Sequence, residues 1–169
     1  AASVTAPLIA NDIDFTEEVK DTVATYSLAM RYRPVSHLSL YSRIASGYRP
    51  GTIDVSNAGA ISDVDSDSLW SYELGAKGEL AEGLMSYDVA VYYFDWDNFQ
   101  TTLPEIGVFL MTNSDGGITG KGLEASVTIR PLDGLSIITN MAYNSSELNA
   151  DESGLNGLKG QQTPKVPEW

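Results

Sequence analysis

The residues most able to do chemistry in this sequence are three acids in one loop. Asp63, Asp65 and Asp67 alternate with other residues, as the first calcium ligands of an EF-hand loop do. The complete motif requires Gly directly after the third acid and a Glu further on in the same loop. Ser68 takes the place of the Gly, and the next Glu, Glu73, falls inside a predicted strand. The spacing therefore favours an acidic, solvated loop over a calcium site.

The remaining candidates for catalysis or metal binding are incomplete as well. The chain has no Cys, and its single His, His37, lies beside a predicted turn, so thiolate and His-cluster zinc sites are excluded. The glycine-rich residues 116–120 lack the Lys and the helix of a phosphate-binding loop. We therefore expect no catalytic residue, no resident metal and no cofactor, and we expect that the protein is not an enzyme.

Charge and hydrophobicity narrow the class of protein. The net charge of -13 argues against nucleic acid as a partner, because phosphates require a basic surface. The acids are scattered, and a hydrophobic content of 43% is too high for a disordered chain. No apolar run approaches the ~18 residues of a membrane helix. A soluble β protein and a membrane β-barrel both remain open, because alternation dilutes the apolar residues of a barrel.

Alternating apolar and polar residues predict six strands. These strands cover residues 22–33, 38–48, 69–80, 84–100, 120–130 and 135–146. Three connections are tight and contain turn-forming Pro, Asp or Gly, at residues 34–37, 81–83 and 131–134. The others are long and rich in Gly, Asp, Asn and Ser, at residues 49–68, 101–119 and 147 onward. Short and long connections therefore alternate strictly.

This alternation of connections predicts transmembrane hairpins. Outer-membrane barrels have short turns at the periplasmic end and longer loops at the extracellular end. The predicted strands also reach the ~9–11 residues that a tilted membrane strand requires, against ~5–6 in most globular sheets. The pattern favours an all-β fold of antiparallel up-and-down strands that forms part of a transmembrane outer-membrane β-barrel. A soluble extracellular β-sandwich that binds sugar or protein stays open, because such sheets can also be long.

Each predicted strand has an apolar face and a polar face, because side chains alternate along a strand. The apolar face is expected to meet lipid, and it includes Leu74, Val89, Val91, Leu123, Val127 and Ile137. The opposite face is expected to line a wet, concave lumen, and its charged residues are Arg43, Glu73, Lys77, Asp88, Glu124 and Arg130. In a sandwich, by contrast, a second sheet would cover the apolar face.

Aromatic residues gather toward the long connections. If the tight turns are periplasmic, five rings lie toward the opposite end of their strands: Tyr48, Trp70, Tyr93, Trp96 and Tyr143. Amphipathic rings prefer the membrane interface, so we expect these five residues to form an aromatic girdle. Gly47, Gly75 and Gly122 interrupt strands and are expected to mark bends or close approaches of the backbone.

Five short segments, in this order, resemble the barrel of TonB-dependent outer-membrane receptors. They are residues 40–51 (LYSRIASGYRPG), 71–77 (SYELGAK), 92–100 (YYFDWDNFQ), 121–124 (KGLE), and Gly160 with 164–169 (PKVPEW). The resemblance covers roughly residues 20–169. It implies a barrel of about 22 strands, plugged by an N-terminal globular domain. It also implies active transport of a scarce ligand energised by TonB, the ligand being a ferric siderophore, haem, cobalamin or an oligosaccharide.

On this resemblance, residues 1–169 are expected to form part of a barrel wall, without the plug domain and the last strands. Ala1 and Trp169 look like cuts in a longer chain. The expected location is the bacterial outer membrane. The expected partners are outer-membrane lipid, TonB acting through the plug region, and a small-molecule or metal-chelate ligand. A passive porin is the alternative that shares the strand pattern. The five segments belong to the barrel frame, so they do not identify the ligand or the residues that bind it.

Overall fold

A computed structural model describes residues 2–3, 18–56, 59–105, 108–164 and 166–168. Lys165 and Trp169, in the last of the resembling segments, lie outside the described residues. The strands, numbered along the chain, are β1 (Ala2–Ser3), β2 (Glu18–Val19), β3 (Ser27–Val35), β4 (Leu38–Arg49), β5 (Thr52–Val55), β6 (Ile61–Val64), β7 (Asp67–Leu80), β8 (Met85–Asp97), β9 (Gln100–Glu105), β10 (Val108–Asn113), β11 (Ile118–Leu132) and β12 (Leu135–Leu148). Short 3-10 turns cover Ala81–Gly83 and Ser153–Leu155. Among the described residues, no helix is long and apolar enough to cross a membrane.

The six long strands form one sheet in the order β12-β11-β8-β7-β4-β3. Every neighbouring pair in it is antiparallel, and these strands are the six that the alternation predicts. Backbone hydrogen bonds join the neighbouring turn regions. The Glu79 N–H donates to the His37 carbonyl, and the Arg130 N–H donates to the Leu84 carbonyl. The predicted antiparallel pairing, with the tight turns at one end, is confirmed.

The tight turns have the backbone geometry that reverses a chain between paired strands. Gly134 has a φ of +81°, in the left-handed region that glycine enters without steric cost. The Ala81–Gly83 turn has positive φ at all three residues, ending at Gly83 with a φ of +92°. The chain is therefore reversed within a few residues, and pairing of β7 with β8 begins at Leu80 and Met85.

Two predicted strand ends differ from the structure by three residues or more, and the others by at most two. The strand predicted from residue 22 begins at Ser27, and residues 22–26 are exposed and lie outside it. In the described chain β3 is the edge strand of the sheet, so it pairs with β4 on one side only. The strand predicted to reach residue 100 ends at Asp97, because Asn98 takes a positive φ of 56° and turns the chain.

The long connections contain structure that the alternation did not predict. β5 pairs with β6 and β9 pairs with β10, so two of these connections fold into hairpins. Residues 161–164 and 166–168 then return along β12. The Leu148 N–H donates to the Gln161 carbonyl, and the Thr163 N–H donates to the Ser146 carbonyl. The sheet therefore continues antiparallel at the edge of β12, as the wall of a barrel does.

The strand register places the predicted apolar residues on one surface. Leu74 pairs with Val91, which pairs in turn with Leu123. The other three share this face further along their strands, and they are Val89, Val127 and Ile137. Within the described residues no second sheet covers this surface, and Leu74 and Val91 are 59% and 46% exposed. The predicted apolar surface is confirmed, and the six long strands form one open sheet rather than a sandwich.

Candidate functional site

The polar face of the sheet carries an ion pair near its centre. The Lys77 ammonium lies 2.6 Å from the Asp88 carboxylate, on the neighbouring strands β7 and β8. The Tyr41 hydroxyl donates to the same carboxylate at 3.4 Å, and the Lys77 nitrogen lies 5.1 Å from the centre of the Tyr41 ring. Both charged side chains are about half exposed, so this ion pair contributes little to stability.

An open cleft of about 560 Å³ lies over this ion pair and brings predicted polar residues together. Its lining includes Glu73, Lys77, Asp88 and Glu124. Arg43 lies opposite Glu73 in the strand register. Arg130 lies apart, near the tight turns, where it donates to the Gly83 carbonyl and the Ser86 hydroxyl at 3.5 Å each. The structure thus places five of the six predicted lumen residues in one patch on a concave surface, with Arg130 at its turn end.

Aromatic rings on this polar face lie over glycines of the neighbouring strand. Each ring faces its glycine in the strand register, in the pairs Tyr41 and Gly75, Tyr92 and Gly122, and Phe94 and Gly120. A Cβ atom added at any of these glycines would collide with the ring. The predicted close approach at Gly75 and Gly122 is confirmed, whereas a Cβ at Gly47 would meet nothing within 4 Å.

Four of the five predicted girdle residues lie on the apolar face, toward the long connections. They are Tyr48, Trp70, Tyr93 and Tyr143. The Trp70 and Tyr72 rings stack with centres 6.5 Å apart, and the Tyr72 and Tyr93 rings lie 6.1 Å apart. These contacts form a continuous aromatic strip across β7 and β8 at the loop end of the apolar surface.

Trp96 does not belong with these four residues. It follows Tyr93 by three positions, and an odd separation along a strand puts two side chains on opposite faces. Trp96 therefore lies on the concave face, where its ring packs against Phe99 with centres 5.8 Å apart. Its assignment to an outward girdle is wrong, and it instead borders the buried cluster of Phe99, Ile118 and Leu148 beneath the loops.

A charged clamp joins the loop ends of β4 and β7. The Arg49 guanidinium donates to the Asp67 carboxylate from Nε at 3.0 Å and from Nη2 at 2.5 Å. Asp67 is buried, and the backbone N–H groups of Arg49 and Gln100 also donate to it. The guanidinium lies 5.7 Å from the centre of the Trp96 ring. The clamp gives a structural role to Arg49, the last residue of β4, within the resembling segment 40–51.

Loss of the clamp is expected to destabilise the protein. We expect Arg49→Ala to lower the free energy of unfolding by about 1–2 kcal/mol, because it leaves a buried carboxylate with only its backbone donors. Urea titration of the intact protein in lipid vesicles measures this change. Arg43→Ala is the matched control, since Arg43 is an exposed Arg on the same strand. Equal losses for the two substitutions would contradict the role of the clamp.

The acidic loop that resembles part of a calcium motif is used for structure. Asp67 forms the clamp, and the Asp65 backbone exchanges hydrogen bonds with Asn113. In the part of the chain that the structure describes, no three His, Cys, Asp or Glu side chains converge on a possible metal position. Sequence reasoning missed the clamp. The available signal was the opposite charge of Arg49 and Asp67, the last and first residues of two strands that pair directly at these ends.

Comparison with known proteins identifies relatives along nearly the whole chain. The family described as "TonB dependent receptor-like, beta-barrel" matches residues 5–169. The chain is 24% identical over 154 residues to the ferric-pyoverdine 358 receptor of Pseudomonas putida, and this match covers 88% of the chain and 17% of that receptor.

Solved structures show the same fold. The ferric yersiniabactin uptake receptor FyuA from Yersinia pestis superposes with a TM-score of 0.67 at 23% identity, over 84% of this chain and 21% of that one. The siderophore receptor PiuA from Acinetobacter baumannii superposes with a TM-score of 0.61 at 21% identity, over 85% of this chain and 22% of that one. The chain spans about a fifth of the length of these relatives.

Proposed function

Because this chain belongs to the TonB-dependent receptor β-barrel family, we propose that it forms part of the wall of an outer-membrane receptor that takes up a ferric siderophore. The family match over residues 5–169 carries this proposal. The single antiparallel sheet, with its tight turns at one end and its apolar face uncovered, agrees with a segment of barrel wall. Proteins of this family lie in the bacterial outer membrane, and outer-membrane lipid is therefore the partner of the apolar face.

The ligand class in this proposal follows from the relatives. One is named a receptor for ferric pyoverdine, one an uptake receptor for ferric yersiniabactin, and one a siderophore receptor. We therefore place a ferric siderophore ahead of haem, cobalamin and oligosaccharides as the ligand of this receptor. The ligand is cargo rather than a resident cofactor of the wall.

We further propose that uptake is energised by TonB through a plug domain that packs in the lumen. The concave face supports this, because its charges are of mixed sign, as Lys77, Asp88 and Glu124 show. Such a surface suits a polar domain in a wet channel rather than an apolar core. We also propose that the protein is not an enzyme, because these polar groups serve as an ion pair and frame contacts.

Uptake by the full-length receptor tests the proposal. The gene is expressed in a bacterial host that lacks its own ferric-siderophore receptors, and the probes are ferric pyoverdine and ferric yersiniabactin carrying radioactive iron. We expect saturable uptake of at least one chelate, and we expect this uptake to fall to background in a host without TonB or with a protonophore present.

Two outcomes would contradict this proposal. Uptake that rises linearly with concentration and is insensitive to TonB would identify a passive porin instead. In parallel assays with haem and cobalamin, uptake of either one, but of neither ferric chelate, would retain active transport and overturn the ligand class. Empty vector and a host expressing the receptor without its plug region are the controls.

A further inference from the structure

The buried side chains of the described chain gather at the loop end of the sheet. Val64 in the first long connection is 0% exposed, and Leu148 at the start of the third is 1% exposed. The other buried residues, glycines aside, are Ser56, Asp67, Phe99, Ser114, Ile118, Ser146 and Glu152. Mobile loops have few buried contacts and exposed backbone hydrogen bonds. Among the described residues, the long connections instead contain or border nearly every buried side chain.

The first and second long connections bond to each other through side chains and backbone. The Asn113 side chain accepts from the Asp65 N–H at 2.7 Å and donates to the Asp65 carbonyl at 2.9 Å. The Asp54 carboxylate accepts from the Met111 N–H at 2.8 Å, and the Gln100 side chain donates to the Asp65 carbonyl at 3.0 Å. Each bond pairs a backbone group of one hairpin with a side chain of the other.

Glu152 makes the corresponding link between the second and third connections. Its side chain is buried, with the residue 2% exposed, and its carboxylate accepts from the N–H groups of Asp115 and Gly116 at 3.2 and 3.1 Å. The Thr119 hydroxyl donates to the side-chain oxygen of Asn149 at 2.9 Å. The apolar cluster of Phe99, Ile118 and Leu148 packs beneath these bonds. Hydrogen bonds thus join the third connection to the second, as they join the second to the first.

We infer that these three connections form one preassembled shelf, within the described residues 50–56, 59–66, 98–105, 108–117 and 149–160, which keeps its shape while a ligand binds and passes. Pulling the third connection from the second would leave the buried Glu152 carboxylate without its hydrogen bonds from Asp115 and Gly116. Pulling the first connection from the second would break at once the four hydrogen bonds described above. The connections therefore open together or not at all. The role toward a ligand rests on the proposed function, whereas the shelf itself does not. It is a fixed docking surface and not a lid.

Hydrogen–deuterium exchange of the full-length receptor in detergent, without ligand, tests the shelf. Asn113→Ala removes a link between the first two connections, so exchange at the Asp65 amide rises in any case. If the shelf exists, exchange also rises in peptides that cover Gly116. The expected rise is roughly tenfold, as for the loss of a hydrogen bond of ordinary strength. The bonds of Gly116 go to Glu152 and are not touched by the substitution. Conversely, Glu152→Ala is expected to raise exchange at Asp65.

The matched control is Asp63→Ala, which removes an exposed acid from the first connection and should leave both peptides unchanged. If Asn113→Ala raises exchange only at Asp65, the connections open independently and the inference is overturned. Should Asn113→Ala fail to assemble, Asn113→Asp removes the donating amide, adds a negative charge and keeps the acceptor for the Asp65 N–H, so a rise in exchange at Gly116 still tests the shelf.

Cross-linking extends the test to transport. The chain has no Cys, so Asp54→Cys and Met111→Cys create the only thiol pair in it, and a cross-link between them takes the place of the hydrogen bond from the Met111 N–H to Asp54 that the substitution removes. We expect that joining them with a short bifunctional thiol reagent leaves unchanged the rate of uptake of ferric pyoverdine or ferric yersiniabactin, whichever the receptor takes up. Loss of uptake on joining, with uptake intact before joining, would show that the connections separate. No uptake in either state would count against the proposed function, and the exchange result, which needs no ligand, would still decide the shelf.

Discussion

Val91→Arg is expected to destabilise the assembled barrel by about 2–4 kcal/mol when the side chain lies near mid-membrane. Val91 pairs with Leu74 on one side and Leu123 on the other, in the middle of the apolar surface. Under the proposed function its exposed surface meets lipid chains, where a guanidinium loses hydration and gains no partner. The free energy of unfolding of the full-length receptor in lipid vesicles, from a urea titration, measures this loss.

Ala90→Arg is the matched control for this substitution. Ala90 precedes Val91 on the same strand, faces the concave side and pairs with Glu124. An Arg there lies in a wet lumen beside an acid, so we expect a change below about 1 kcal/mol. Glu73→Arg, on the same concave face, is also expected to be tolerated. Normal assembly of Val91→Arg, together with failure of Glu73→Arg to assemble, would show that the two faces are inverted.

The sheet could be predicted because its pattern is local. A two-residue period assigns each side chain to a face, and tight turns between such runs imply antiparallel neighbours. Trp96 was assigned to the girdle from its position near the loop end of the strand alone. It lies three residues from Tyr93, so the two side chains point to opposite faces. The same rule, applied strictly, would have placed Trp96 beside Phe99 rather than toward lipid.

The loop contacts could not be predicted because they join residues that are distant in sequence. Asn113 meets Asp65 across 48 positions, and Glu152 meets Gly116 across 36. No periodicity links such pairs. From the sequence alone, Asp, Asn and Glu in a glycine-rich segment indicate a solvated loop. The partners become apparent only once the sheet brings the ends of β4, β7, β8 and β11 side by side.

The resembling segments identify the family without identifying the ligand because their residues pack the wall. Arg49, in the first segment, clamps Asp67. Gly75, in the second, lies under Tyr41, and Gly122, in the fourth, lies under Tyr92. These contacts fix strand register and the approach of neighbouring backbones, which every barrel of this kind requires whatever it transports. Residues that recognise a ligand are under no such common constraint.

Gly75→Val is expected to lower the free energy of unfolding by about 1–3 kcal/mol, because its Cβ would overlap the Tyr41 ring. Gly75 and Tyr41 face each other in the register of β7 and β4, so neither backbone can move away without breaking ladder bonds. The ring must therefore turn out of its position, and it then loses the hydroxyl bond to Asp88. Urea titration of the full-length receptor in lipid vesicles gives the magnitude.

Gly47→Val is the control that separates this collision from the general effect of replacing a strand glycine. A Cβ at Gly47 meets nothing within 4 Å, and a β-branched residue suits a strand better than glycine does. We therefore expect Gly47→Val to be neutral or to stabilise the receptor by up to about 1 kcal/mol. Tyr41→Ala, combined with Gly75→Val, should recover part of the lost stability, because it removes the ring that the new Cβ meets. Equal losses for Gly75→Val and Gly47→Val, or no recovery in the double variant, would show that the ring-over-glycine contact does not fix the packing of these strands.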